Sequence, residues 1–304
     1  MAAVEAGEGA DAEDFEAHRR YLGAVAYRML GSVADAEDVL QEAWLRWNDV
    51  DRAGVANPRA FLTTVVTRLC YDQLGSARAR REAYFGEWLP EPLVDDAPSP
   101  QERAELGEAV SMAVMAVLER LSPAERAAFV LHDVFGVDFP QIAGTLERSE
   151  AAVRQLASRA RRQVKDSAPR RSVDPAAHRR TVEAFAAAVT KGDIIGLMKL
   201  LDPEVVWHSD GGGEITAGAR PIFGAERVAR MLAGLNTKYF TPDMIVALAQ
   251  VGGEPGLVLG YPDGTPGAVI AFCIADGLIT ESHIVVNPHK LRHVPAADGL
   301  PAAR

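Results

Sequence analysis

The most constraining feature of this chain is a change in hydrophobic period. From about Tyr21 to Leu74, and again from about Leu106 to Val164, apolar residues recur at the three- and four-residue spacing of an amphipathic helix. Beyond His178 the texture changes, and β-branched and apolar runs gather between turn residues. A helix buries a stripe and a strand buries a face, so this order predicts helical domains followed by an α+β domain. Between the helical blocks, Gly86-Glu-Trp-Leu-Pro-Glu-Pro-Leu-Val-Asp-Asp-Ala-Pro-Ser-Pro100 carries four prolines that deny regular structure. The polar, basic stretch from Asp166 to Pro175 is a second break. With 304 residues, the chain has room for two or three domains at roughly 100–200 residues each. The division expected is a domain over 1–84 with an acidic N-terminal arm, a linker over 85–107, a domain over 108–168, a linker over 169–175 and a domain over 176–304.

Local signals sharpen this. Gly31 suits a helix stop, and Asn57-Pro58 suits a cap followed by a first-turn proline. Ser122-Pro-Ala-Glu125 reads as a capping box, opening a helix that Gly136 ends. A short helix after Pro140, a turn through Glu147-Arg148-Ser149 and a longer helix bearing Val153, Leu156, Ala157 and Ala160 on one side suggest a helix-turn-helix. In the third region, helices are expected over His178–Leu201 and Ala225–Asn236. Strands are expected at Gly256–Gly260, Gly267–Ala275 and Leu278–Val286, antiparallel, with turns at Asp263-Gly264 and Asp276-Gly277. No internal repeat is evident.

Composition excludes several classes. Hydrophobic residues make up 48% and charged residues 24%, with a mean hydropathy of -0.03, which is neither disordered nor membrane-like. No apolar stretch reaches the roughly 18 residues of a membrane span, and the N-terminus lacks the basic-then-apolar order of a signal peptide. A cytoplasmic protein without membrane contact is expected. Cys70 and Cys273 lie far apart in apolar runs, as buried thiols in a reducing compartment do, and neither anchors a metal motif. A net charge of -10 argues against a protein that coats nucleic acid unaided. Charge is nonetheless segregated: Met1–Glu16 and Gly86–Glu108 are acidic, whereas Arg154–Arg171 is basic.

Residue types then suggest contacts. Asp35-Ala-Glu-Asp-Val-Leu-Gln-Glu-Ala-Trp44 turns Val39, Leu40, Ala43, Trp44 and Trp47 inward and sets Asp35, Asp38 and Glu42 on an outer acidic face. The next helix, from Asn57 to Leu74, buries Phe61, Leu62, Val65, Val66 and Leu69 and exposes Thr64, Thr67 and Arg68, with Arg78, Arg80 and Arg81 beyond. Opposite the apolar side of the last helix of the helix-turn-helix lie Arg154, Gln155, Ser158, Arg159, Arg161 and Arg162, the types that contact base edges and phosphates.

The order of these segments resembles an extracytoplasmic-function sigma factor, over about residues 15–165. Glu87-Trp-Leu-Pro-Glu-Pro-Leu93, Asp210-Gly-Gly-Gly213 and Asn287-Pro-His-Lys-Leu291 resemble the three signatures of those that end in a SnoaL-like domain. The resemblance implies sigma domain two, a helix-turn-helix sigma domain four and an α+β cone of the SnoaL/nuclear transport factor two kind. It further implies an alternative sigma factor that directs core RNA polymerase to promoters, with no catalytic residues, no cofactor and no metal. Asp35, Asp38, Gln41 and Glu42 would dock on the clamp helices of the largest polymerase subunit. Asn57, Thr64 and Arg68 would read and open promoter DNA near the start, with Arg78, Arg80 and Arg81 on phosphates. Arg154, Gln155, Ser158, Arg159 and Arg162 would enter the upstream major groove. Asn57 also reads simply as a helix cap.

In the third domain, Val205-Val-Trp-His-Ser-Asp210 reads as a strand with His208 and Asp210 on one face. His208 and His283 are the candidate cavity residues, and His283 reads equally as a satisfied core histidine. Asp210-Gly211-Gly212-Gly213 has flanking carboxylates and no following Gly-Lys-Ser/Thr, so a close-packed turn is favoured over a phosphate loop. The resemblance places this loop near Trp88, Leu89, Pro90, Glu91 and Pro92, and leads Asn287, Pro288, Lys290 and Leu291 into a C-terminal tail. The third domain is therefore expected to regulate the sigma factor in cis, without a separate anti-sigma factor, in a chain that is monomeric when free. The alternatives are a DNA-binding repressor or sensor with a small ligand in the cone, and a fused cyclase or isomerase using His208 and Asp210 as acid and base.

Overall fold

The structure, a computed structural model, describes residues 2–51, 54–82, 84–95, 110–167, 174–215, 220–239, 241 and 243–303, the side chains of 2–13, 76–82, 95 and 239 excepted. It divides into two compact units. The first comprises Met1–Glu82, Ser99–Ala109 and Val117–Asp166, and the second Ala83–Pro98, Val110–Ala116 and Ser167–Arg304.

In the first unit, α1 (Ala2–Leu30), α2 (Val33–Asn48) and α3 (Pro58–Glu82) pack together. Leu22, Val25, Ala26, Met29 and Leu30 recur at helical spacing on α1 and are fully buried with Ala43 and Trp47 of α2 and Leu62 and Val66 of α3. Gly31 takes a positive φ of 69°, and Ser32 caps α2 by accepting from the Asp35 amide at 3.2 Å. The Asn57 side chain caps α3 through the Ala60 amide at 3.0 Å. Thr67, expected at the surface, is fully buried.

After α4 (Met112–Leu118), helix α5 (Pro123–Phe129) opens on the expected capping box and continues into a π turn, Val130–Val134, that periodicity alone did not indicate. Gly136, at φ 67°, follows this turn. Then α6 (Phe139–Leu146) and α7 (Glu150–Ser167) form the helix-turn-helix, with Glu147 in the left-handed region between them and Ser149 capping α7 through the Ala152 amide. Arg126 of α5 is buried, donating to Glu119 at 2.9 Å and to the Arg28 carbonyl at 3.0 Å, which ties α5 to α1.

The second unit begins with β1 (Val94–Asp95). It continues with α8 (Pro175–Lys191), α9 (Ile194–Leu200), β2 (Leu201–Asp210), β3 (Ile222–Phe223), α10 (Ala225–Tyr239), β4 (Ile245–Val251), β5 (Glu254–Gly260), β6 (Pro266–Ala275) and β7 (Leu278–Val285). The sheet order is β1-β4-β5-β6-β7-β2-β3. Several features depart from the sequence reading: β3 was not foreseen, and the helix expected over His178–Leu201 is broken by left-handed Gly192 and the Asp193 cap into α8 and α9. Strand β4 was not foreseen; β2 pairs with β7 in parallel rather than antiparallel; and the proline-rich stretch contributes β1, paired to β4. Pro90 and Pro92 precede that strand, so its two residues keep their ladder partners. The expected Asp276-Gly277 turn has positive φ at both residues, the mirror-image turn that suits a two-residue hairpin.

Both faces of the sheet are covered. Val182, Phe185 and Val189 of α8 and Val228 and Leu232 of α10 pack with Trp207, Leu257, Ile270 and Phe272 on one side. On the other, Leu89, Val94, Met112, Leu291 and Val294 pack with Val258, Val269 and Val285. The segment from Tyr84 to Asp95, read from sequence as a linker from residue 85 on with Trp88–Pro92 near the Asp210 loop, is thus a strap laid across the second face. Val110–Ala116, expected to open the second helical domain, also falls in this unit.

Candidate functional site

Asp210 ends β2 and is inaccessible to solvent. Its carboxylate accepts from Tyr84 Oη at 2.5 Å, the Leu89 amide at 2.9 Å, Lys290 Nζ at 2.7 Å and the Gly212 amide at 3.1 Å. Lys290, also buried, donates in addition to the Leu89 carbonyl at 2.5 Å and lies 3.2 Å from the centre of the Trp88 ring. The Tyr84 ring meets Trp88 edge-on at 4.8 Å, and the Asn287 amide donates to Tyr84 Oη at 2.8 Å. Burial and the Asp210 carboxylate push the Tyr84 phenol well above its ordinary range, so it remains the donor. All three predicted signatures therefore meet at one ion pair.

Gly212 and Gly213 both take positive φ, and the closer approach is at Gly212. Gly212 has φ 69°, and a Cβ on it would sit 2.6 Å from Asn287 Nδ2. Pro288 and Leu291 bound a single 3-10 turn that Asn287 caps, and this turn presents Lys290 inward. Buried Glu91 and Pro92 face His293, whose Nε2 lies 2.9 Å from the Pro92 carbonyl. Pro90 lies in the buried part of the strap, and Gly211 and Gly213 complete the loop beside Gly212. Tyr84, Glu281 and His293 were not foreseen, and Glu87 stood in a quoted signature without a role of its own. Tyr84 lies just outside the quoted signature, and its spacing from Asp210 carries no periodic signal.

His208 and His283 do not line the cavity. They are neighbours across the β2–β7 pair, stacked at 4.8 Å, with His208 Nδ1 2.6 Å from Glu87 Oε1 on the strap. Each Nε2 lies 3.1 Å from Glu281 Oε1. Burial opposes a charged His208, but bonds to Glu281 and Glu87 prevail and raise its pKa to about 9; burial also opposes charge on Glu281, which its two histidine bonds lower to about 2. The cavity, of about 50 Å³, lies on the opposite face and is lined by Trp207 and Ile284, which alternate with these histidines. Phe185, Leu232, Leu257 and Ile270 are among the residues of its apolar wall. Among the described residues no carboxylate, imidazole, thiol or amine lines it, and its one aliphatic hydroxyl, Thr190, donates to the Ala186 carbonyl.

On α2, Asp38, Gln41 and Glu42 are exposed, and Asp35 is half-buried, accepting from Gln73 at 3.2 Å. On α7, Arg154, Gln155, Ser158, Arg159 and Arg162 are all exposed; Arg154 pairs with Glu150 and Arg159 with Glu125, the latter at 2.8 Å. The structure places Arg68 against the end of α6, donating at 3.3 Å to the carbonyls of Gly144 and Thr145, while Thr64 lies 3.5 Å from the Thr145 hydroxyl. The side chains of Arg78, Arg80 and Arg81 lie outside the described residues.

These faces coincide with two known families. The Sigma-70 region 2 model matches residues 9–80, and the Sigma-70, region 4 model matches residues 111–164. The ECF RNA polymerase sigma factor SigJ of Mycobacterium tuberculosis (strain ATCC 25618 / H37Rv) is 43% identical over 299 residues, 94% of this chain and 94% of its own. The chain belongs to the extracytoplasmic-function sigma factors. The probable ECF RNA polymerase sigma factor SigI of the same strain is 36% identical over 281 residues, 91% of this chain and 93% of its own. The crystal structure of M. tuberculosis SigJ matches with a TM-score of 0.77 at 41% identity, covering 93% of this chain and 99% of that one. As an extracytoplasmic-function sigma factor, the chain directs RNA polymerase to promoters, with regions 2 and 4 engaging polymerase and promoter DNA. Among the described residues no helix is long and apolar enough to cross a membrane.

Proposed function

We propose that this sigma factor is regulated in cis by its C-terminal unit, through the strap that follows region 2. The observation that carries the reading is the buried Lys290–Asp210 pair with the Leu89 backbone bonded to both members. A strap tethered in the same chain meets its site at high effective concentration, so this reading requires no separate anti-sigma factor. Within this reading the C-terminal unit acts as a regulator rather than an enzyme.

Within this scheme Asp35, Asp38, Gln41 and Glu42 dock on the polymerase clamp helices. Asn57, Thr64, Arg68, Arg78, Arg80 and Arg81 handle the start-proximal promoter strand, and the exposed side of α7 reads the upstream element. The test is promoter-directed transcription by the full chain with core polymerase, comparing Trp88→Ala and Lys290→Met with the parent. Altered transcription together with faster proteolysis at the strap supports cis regulation. Unchanged transcription with a loosened strap overturns it.

A further inference from the structure

The pairing of β2 with β7 has a chemical consequence unrelated to promoter recognition. Parallel register sets His208 beside His283, and alternation along β7 brings Glu281 to the same face. Nε2 of each histidine lies 3.1 Å from one carboxylate oxygen, Glu281 Oε1, and the three ligand atoms lie within 4.8 Å of one another. Zinc bonds of roughly 2.0–2.1 Å at tetrahedral angles set neighbouring ligand atoms about 3.3 Å apart. Two of the separations are thus already close to those of a coordination shell.

The surroundings fit as well. A metal-bound histidine commonly gives its other ring N–H to a carboxylate, and His208 Nδ1 lies 2.6 Å from Glu87 Oε1. His283 is 2% exposed, and among the described residues its Nδ1 has no hydrogen-bond partner, nor has Glu87 Oε2, so buried polar capacity is left over. With both imidazoles bound as neutral ligands, the proton on His208 leaves as the ion binds, and one divalent ion balances the two carboxylates. Mixed imidazole and carboxylate donors suit a first-row transition metal better than magnesium or calcium, which take oxygen ligands.

We propose that His208, Glu281 and His283 bind a divalent transition-metal ion, zinc foremost, with Glu87 of the strap orienting His208 from the outer shell. The rings, stacked at 9°, converge on the ion by rotation about their Cβ–Cγ bonds. Occupancy ties β2, β7 and the strap together at a second point beyond Asp210. The site stands whether or not the strap regulates transcription.

The experiment uses the untagged full chain, stripped with a chelator and titrated with ZnCl2 by calorimetry and with CoCl2 by visible absorption. The expected result is one ion per chain and the intense d–d absorption of low-coordinate Co2+. Glu281→Gln and His283→Asn lower affinity at least tenfold, and Glu87→Gln lowers it by about 10–100-fold while keeping the Co2+ band. His289→Asn, in the exposed His289–Glu214 pair, leaves binding unchanged. Binding by the parent no tighter than by Glu281→Gln overturns the proposal, as does loss of binding in His289→Asn. Should the buried variants fail to fold, the Co2+ spectrum of the parent decides alone, and absence of the band refutes the site.

Discussion

At Asp210 four donors converge on one carboxylate that solvent does not reach, and the partner cation is equally buried. Removing one member of such a pair leaves an uncompensated charge, so Asp210→Ala is expected to cost about 3–5 kcal/mol in urea unfolding. The double variant Asp210→Leu with Lys290→Met is expected to cost less than the sum of its singles, because the second change removes the stranded charge. Gly212 tests the loop separately. Its positive φ and the 2.6 Å approach to Asn287 predict that Gly212→Ala destabilises by more than about 1 kcal/mol, measured in the same way. Equal stability would mean the loop relaxes away from Asn287.

Among the elements, α7 and α3 differ in what stands between them and DNA. Arg154 and Arg159 of α7 pair with Glu150 and Glu125, and surface pairs are worth only about 0–1 kcal/mol, so in the proposed interface DNA phosphates would displace them. Arg154→Ala and Arg159→Ala are expected to weaken promoter binding, each lowering the salt slope by about one where a phosphate contact is lost. Binding titrations at several salt concentrations read this directly; unaltered slopes and sequence preference would remove α7 from the interface. On α3, Arg68 and Thr64 contact the end of α6, an arrangement that competes with their proposed contacts to a DNA strand. A disulfide between Thr64→Cys and Thr145→Cys is therefore expected to abolish promoter opening when oxidised and restore it on reduction, read by transcription with core polymerase. Full activity of the oxidised form would show that α6 need not leave α3.

For the whole molecule, the strap joins what the chain order separates: Lys290 bonds Leu89 across 201 positions. Much was nonetheless legible in order of residues alone. Caps at Ser122 and Asn57, the stops at Gly31 and Gly136, the Asp276-Gly277 turn and the acidic stripe on α2 are local signals, because backbone geometry and helical spacing act over a few residues. Those signals, with the three signatures, determined the helical-then-α+β order and the family. They left open which side of β2 meets the cavity. Alternation places His208 and Asp210 on one face and Trp207 on the other, but both faces are buried, so no polar edge marks which face looks outward. Only the tertiary structure decided that the helices cover Trp207 and the strap covers Asp210, because that choice depends on packing between segments far apart in sequence. The same holds for Tyr84, Glu87 and Glu281, whose partners enter reach only when the sheet and strap are assembled.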